Sequence, residues 1–150
     1  MKFKIHFRND EVRELYKNAG VKTDGSAGFD LVTVEDADFD KSNDFTLIDL
    51  GVVIEVPKGY HAILMPRSST FKKYGLIQAN GIGLIDHDYK GPEDWWMLPT
   101  FFAQKNLGKV SIPKGTRICQ FMLMKTVKID SYEEFIPEGP SRDGIGSTGN

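Results

Sequence analysis

The run Gly83-Leu84-Ile85-Asp86-His87-Asp88-Tyr89-Lys90-Gly91 sets a carboxylate at the end of an apolar strand, with an aromatic three positions on and a glycine at either end. An acid held there is poised rather than solvated, which suits a general base drawing a proton from water. Read alone, the segment is equally a tight hairpin with charges at its tip. His87 stands between Asp86 and Asp88, but adjacent strand residues point to opposite faces and no second histidine lies near. It reads as a solvent-facing turn residue rather than a metal ligand.

Other groups with chemical potential are spread along the chain. Pro66-Arg67-Ser68-Ser69-Thr70 follows the apolar run Ala62-Ile63-Leu64-Met65. A guanidinium and hydroxyls at a strand end can take phosphate oxygens through charge-assisted hydrogen bonds. The same residues would also serve as a capping turn. Ser141-Arg142-Asp143-Gly144-Ile145-Gly146-Ser147-Thr148-Gly149 alternates glycine with small polar residues, which frees backbone N–H groups for an anion nest. It lacks the Lys-Ser/Thr ending of a Walker loop, and a loose tail accounts for its composition as well. Ser26-Ala27-Gly28-Phe29-Asp30-Leu31 puts one acid in an apolar strand, the pattern of a satisfied core carboxylate or an arginine partner. Arg117, in Gly115-Thr116-Arg117-Ile118-Cys119-Gln120, invites the same pairing, while Gln120 could face a ligand or pair across strands. Trp95 and Trp96 read as core and interface packing.

These groups need short, punctuated elements to hold them. Fifteen glycines and seven prolines break β-rich runs throughout. Phe3, Ile5 and Phe7 alternate with Lys2, Lys4 and His6, which predicts an opening strand. Val12, Leu15 and Tyr16 recur at helical spacing behind an Asn9 or Asp10 cap, which predicts a short helix over 9–18. Further strands are expected at 28–34, 45–49, 51–56, 60–66, 75–79, 83–86, 95–102, 109–112 and 116–129. Such spacing, with turns at Pro57-Lys58-Gly59 and Pro113-Lys114-Gly115, argues for an all-β sandwich or jelly-roll barrel over a doubly wound sheet. One β domain is expected over 1–137, with a flexible arm at 138–150.

A chain of 150 residues can bury a real core as a single domain. Its net charge of −2, with Lys72-Lys73 the one basic pair, offers no footprint for a nucleic-acid polymer. A small phosphorylated molecule gripped locally fits better. The single cysteine, Cys119, rules out an internal disulfide and a multi-thiolate zinc site, and reads as a small core residue. With no apolar run of membrane-spanning length and no apolar leader in the opening residues, the expected setting is cytoplasmic.

Taken in order, the clusters resemble the five motifs of the trimeric dUTPase family. Ala27-Gly28-Phe29-Asp30-Leu31 is similar to the first and Pro66-Arg67-Ser68-Ser69 to the second. Asn80-Gly81-Ile82-Gly83-Leu84-Ile85-Asp86-His87-Asp88-Tyr89-Lys90-Gly91 is similar to the third. Gly115-Thr116-Arg117-Ile118-Cys119-Gln120 matches the fourth and Gly144-Ile145-Gly146-Ser147-Thr148-Gly149 the fifth. The resemblance implies a jelly-roll homotrimer with active sites assembled from different subunits, which hydrolyses dUTP to dUMP and pyrophosphate with Mg²⁺. On that likeness Asp86 activates the water that attacks the α-phosphorus, and Tyr89 packs under the deoxyribose. Asn80 and the hairpin around it, Gly83 and Ile85 included, would read uracil. Arg67, Ser68, Ser69 and Gln120 would hold the phosphates, and Asp30 would support the magnesium shell through water. Arg142, Ile145, Gly146, Ser147 and Thr148 would close over the nucleotide.

Two positions depart from the family pattern. Ile145 stands where an aromatic is common, and Pro140 where the arginine of the fifth motif most often lies. The aromatic run Pro92-Glu93-Asp94-Trp95-Trp96 is similar to phage and prophage members from Gram-positive bacteria. The competing functions are a dCTP deaminase on the same fold and a dUTP-sensing regulator with a protein partner. The deaminase would need a proton-shuttling glutamate in the base pocket, where this hairpin carries Asp86. A pure regulator would have little need of Asp86 at all.

Overall fold

The structure, a computed structural model, describes residues 2–20, 23–40 and 45–140. The alternating opening residues form β1 (Lys4–Phe7), which runs antiparallel to β5 (Val52–Glu55) with Ile5 opposite Ile54. Beside it the Phe3 ring meets Phe29 and Phe121 edge-on, at 5.2 and 5.3 Å between centroids. Helix α1 (Asp10–Leu15) begins at a working cap, Asn9 Oδ1 accepting from the Val12 N–H at 2.8 Å. Asp10 and Glu11 sit in its first turn, where the helix dipole favours acids. The expected helix to residue 18 tightens into a 3₁₀ turn at Tyr16–Asn18, where the buried Tyr16 hydroxyl donates to the Leu50 carbonyl at 2.7 Å.

The remaining strands are β2 (Phe29–Val32), β3 (Ala37–Phe39), β4 (Phe45–Asp49), β6 (Tyr60–Pro66), β7 (Leu76–Gln78), β8 (Gly83–Ile85), β9 (Met97–Phe102), β10 (Val110–Ile112) and β11 (Arg117–Lys125). They assemble into a four-stranded sheet β2-β11-β6-β8, a three-stranded sheet β4-β9-β7, and the pairs β1-β5 and β10-β3. Every described pairing is antiparallel, in a jelly-roll-like arrangement. Three elements were not anticipated: β3, a 3₁₀ turn at Lys105–Leu107, and the short helix α2 (Thr70–Tyr74), which ends at Gly75 with φ +64°. β11 stops at Lys125 rather than 129 because its partner β6 begins opposite it, at Tyr60, and offers no further ladder.

The core lies between the sheets and is filled by the fully buried rings of Trp96, Phe39, Phe102 and Phe121. Trp96 stands edge-on to Phe121 at 5.2 Å, a favoured aromatic geometry. Cys119 is a buried free thiol on β11, with Leu31 of β2 and Pro66 of β6 as its cross-strand neighbours. Burial, with the nearby negative charge of Asp30, pushes the thiol pKa far up and leaves it without nucleophilic character. Beyond β11, residues 126–140 carry no regular element and are exposed. Among them Val127, Ile129, Tyr132, Phe135 and Ile136 stand open to solvent. Among the described residues no helix is long and apolar enough to cross a membrane.

Candidate active site

The chemistry-bearing residues gather in two cavities. The first, of about 350 Å³, lies on the outer face of the four-stranded sheet and brings together Gly28, Asp30, Arg67, Ser68 and Gln120. Register explains the meeting, since Gln120 on β11 stands opposite both Asp30 on β2 and Met65 on β6. A register shift between Arg117 and Cys119 adds one residue to the strand. Residues 117 and 120 would face opposite ways on a regular strand; the bulge turns both toward Asp30.

Asp30 is the hub of this face. Arg67 Nε donates to one carboxylate oxygen at 3.0 Å and Arg117 Nη1 to the other at 3.1 Å. The carboxylate is almost wholly buried while both arginines keep part of their surface open, and Arg67 lines the cavity. Ser69 stands at the N-cap of α2 but makes no capping bond, so the alternative of a side-chain-capped turn does not account for it. Instead Thr70 ties the turn down, its hydroxyl donating to the Ile118 carbonyl at 2.7 Å. Gly28 permits the close approach of β2 to Gln120: a β-carbon there would stand 2.4 Å from Gln120 Oε1.

The second cavity, of about 380 Å³, holds Asn80, Gly83, Ile85, Asp86 and Tyr89, with Trp95 on its wall. The Tyr89 N–H donates to the Asp86 carbonyl at 3.3 Å and closes the turn. The next residue is tethered, Lys90 Nζ meeting Glu55 at 2.9 Å while Lys4 takes the other oxygen at 2.8 Å. Hydrogen bonds from Lys4 and then Lys90, reinforced by their charges, hold the Glu55 carboxyl down to about 2. Asp86 itself is exposed, contrary to the expectation of a carboxylate shielded from water. The reason is that its strand ends at the hairpin tip, beyond the last rung of the ladder with β6. Trp95, expected only to pack, instead lines this cavity. It stacks on His6 at 5.6 Å and lies under the Arg8 guanidinium at 4.8 Å.

The two cavities lie back to back. On β6 the adjacent residues Leu64 and Met65 point to opposite faces, Leu64 flooring the second cavity and Met65 walling the first. The structure thus joins Asp30, Arg67, Ser68 and Gln120, and separately joins Asn80, Gly83, Ile85, Asp86 and Tyr89. Arg142, Ile145, Gly146, Ser147 and Thr148 lie outside the described residues. Gln78, which contacts Asn80, escaped the sequence reading; its one signal was a lone amide in the apolar run Leu76-Ile77-Gln78-Ala79.

Among the described residues no three His, Cys, Asp or Glu side chains come together as a metal cage. Both oxygens of Asp30 already accept from arginine. Such a donor set fits Mg²⁺, which keeps much of its water and binds through few carboxylates plus substrate phosphates.

The dUTPase family profile matches residues 17–149. The chain is 44% identical over 121 residues to the SPbeta prophage-derived deoxyuridine 5'-triphosphate nucleotidohydrolase YosS of Bacillus subtilis (strain 168), covering 80% of this chain and 82% of that protein. It is 32% identical over 143 residues to the deoxyuridine 5'-triphosphate nucleotidohydrolase of Hydrogenobaculum sp. (strain Y04AAS1), covering 92% and 96%. The fold superposes on a Staphylococcus bacteriophage 80alpha dUTPase G164S mutant with dUpNHpp, with a TM-score of 0.77 at 20% identity over 99% of this chain and 98% of that one. On the dUTPase from Streptococcus mutans the TM-score is 0.72 at 23% identity, over 87% and 100%. With the profile spanning most of its length, the chain belongs to the dUTPase family.

Proposed function

We propose that this chain hydrolyses dUTP to dUMP and pyrophosphate at sites completed between copies of itself in a homotrimer. The observation that carries the reading is the back-to-back placement of a cationic cavity and a nucleoside-sized cavity on opposite faces of one sheet. One nucleotide cannot touch both on the same chain, so each half needs its complement from another copy. Exposed apolar side chains on and beside the three-stranded sheet, Phe45, Leu47, Ile77 and Leu84, supply surface for that association. The exposed apolar residues of 126–140 offer a further strip by which the arm reaches a neighbour's site and delivers Arg142, Ile145, Gly146, Ser147 and Thr148.

In this reading Asn80, Gly83 and Ile85 receive the base, Tyr89 packs under the deoxyribose, and Arg67, Ser68, Ser69 and Gln120 hold the phosphates. Asp86 orients a water and takes its proton as the oxygen attacks the α-phosphorus. The bond to the bridging oxygen breaks and pyrophosphate leaves. Mg²⁺ would neutralise phosphate charge, and Asp30, which fixes Arg67 and Arg117, would support its water shell. No protein nucleophile is needed, because in-line positioning carries much of the barrier. The setting is cytoplasmic, in keeping with a lone, buried, reduced cysteine.

The test is complementation. Asp86→Asn and Arg67→Ala damage different halves, so each variant alone should be inactive. Co-expressed, they should recover about a quarter of wild-type activity if assembly is random and each site draws its halves from two copies. Hybrid trimers of verified composition that stay inactive would overturn the shared-site reading.

A further inference from the structure

We propose that Gln78 is a positioning residue that turns the Asn80 amide so its N–H₂ faces the base, favouring a pyrimidine with a carbonyl over one with an amino group. The inference rests on the reading of Asn80 as a base contact. Gln78 ends β7, two residues before Asn80, and is only 6% exposed. Its backbone is fixed from two sides: it stands opposite Thr100 on β9, and its carbonyl accepts from the Gly81 N–H at 3.1 Å. Its Nε2 donates to Asn80 Oδ1 at 2.9 Å, while its Oε1 is buried with no partner among the described residues.

That orphaned oxygen settles which way the amides point. Turning both would let Asn80 Nδ2 donate to Gln78 Oε1, but would bury the Gln78 N–H₂ with no acceptor. An orphaned buried N–H is rarer in proteins than an under-used carbonyl. The orientation seen leaves the cheaper group unpaired and commits Asn80 Oδ1 inward. Asn80 Nδ2 is then the group free to meet a ligand in the cavity that Asn80 lines with Asp86 and Tyr89. Gly83 keeps room for the arrangement, since a β-carbon there would lie 3.4 Å from Gln78 Nε2 and 3.0 Å from Leu64 Cβ. A donor presented to C4 pairs with the carbonyl of uracil and confronts the amino group of cytosine, leaving two donors unpaired. A site built to hydrogen-bond one partner discriminates strongly against an analogue that cannot answer it.

The experiment measures kcat and KM for dUTP and dCTP, with melting temperature, for wild type, Asn80→Ala, Asn80→Asp, Gln78→Leu and Gln78→Glu. Gln78→Leu frees the Asn80 amide to rotate and should raise KM for dUTP roughly tenfold, with kcat changed far less. Gln78→Glu, an acceptor when ionised, should recruit Asn80 Nδ2 and turn Oδ1 outward, so the preference for dUTP over dCTP narrows further. Asn80→Asp leaves the buried glutamine untouched yet presents only oxygen, and should raise KM for dUTP at least as much as Asn80→Ala. Folded Gln78 variants with wild-type selectivity, while Asn80→Ala loses it, would overturn the positioning role alone. An Asn80→Asp enzyme that takes dUTP as well as wild type would also overturn it, whether or not the Gln78 variants fold. An Asn80→Ala enzyme with unaltered KM would remove the base-contact reading itself.

Discussion

The cavity around Asp30 is lined by side chains that also tie strands together, whereas the cavity around Asp86 is rimmed by side chains that the fold could lose. In the first, one buried carboxylate joins β2 to β11 and to the turn after β6 through two arginines. In the second, Asp86 and Asn80 project from hairpin ends into solvent, and only the floor beneath them is packed. Binding a polyanion requires cations held close against their own repulsion, and a shared carboxylate does that while bracing the sheet. A base that must reach a water and a ligand edge needs access, which a hairpin tip supplies. Function and stability should therefore be coupled in the first cavity and separable in the second.

The largest effect expected is on rate. Asp86→Asn should lower kcat by on the order of 10²–10⁴ while leaving the melting temperature near wild type. A steady-state assay beside a thermal melt checks both, and a large loss of stability would erase the contrast between the cavities. Asp30→Asn should do both kinds of damage: about 1–3 kcal/mol lost in denaturant unfolding, because one guanidinium then meets an N–H₂ instead of an acceptor and both lose their counter-charge, together with a raised KM. If it costs activity alone, the carboxylate braces nothing.

Gly28→Ala bounds that coupling at smaller scale, because it leaves both Asp30–arginine pairs in place. The added methyl must displace the Gln120 amide, a movable side-chain end, so KM should rise several-fold while stability changes by less than about 1 kcal/mol. The smallest effect concerns the tether behind Tyr89. Glu55 titrates in the folded chain near 2 rather than the usual 4.5, so its contribution is complete above 4.5 and fades as pH falls toward 2. Carboxyl NMR should find that midpoint, and Lys90→Ala should move it upward. A midpoint near 4.5 in the intact chain would show the tether to be unformed.

Much of this was legible in the residues. The alternation of Phe3, Ile5 and Phe7 gave β1, the Asn9 cap gave the start of α1, and glycine and proline turns bounded most strands. Helix α2 was hidden because a single turn is too short to show apolar periodicity, although Gly75 marked its end. β3 was hidden because Asp36, Asp38 and Asp40 mask a strand that only its pairing with β10 stabilises. The pairing of Asp30 with Arg117 was open from charge alone, but the bulge that aims Arg117 depends on three strands in register. The exposure of Asp86 could not be read, since shielding belongs to surfaces far away in sequence or on another chain. Trp95 and Trp96 look alike on paper; in the irregular segment just before β9 one ring is buried in the core and the other stays partly open at a cavity wall.

Cys119 turns the first cavity into something that can be watched. The one thiol of the chain is sealed between the strands that carry Asp30 and lead to Arg67, and it is held far from ionisation. A thiol-reactive dye should therefore stay silent on the native protein and colour only as those strands part. Labelling becomes a clock for local opening beneath the arginines, with no engineered probe, and a ligand gripped there should slow it.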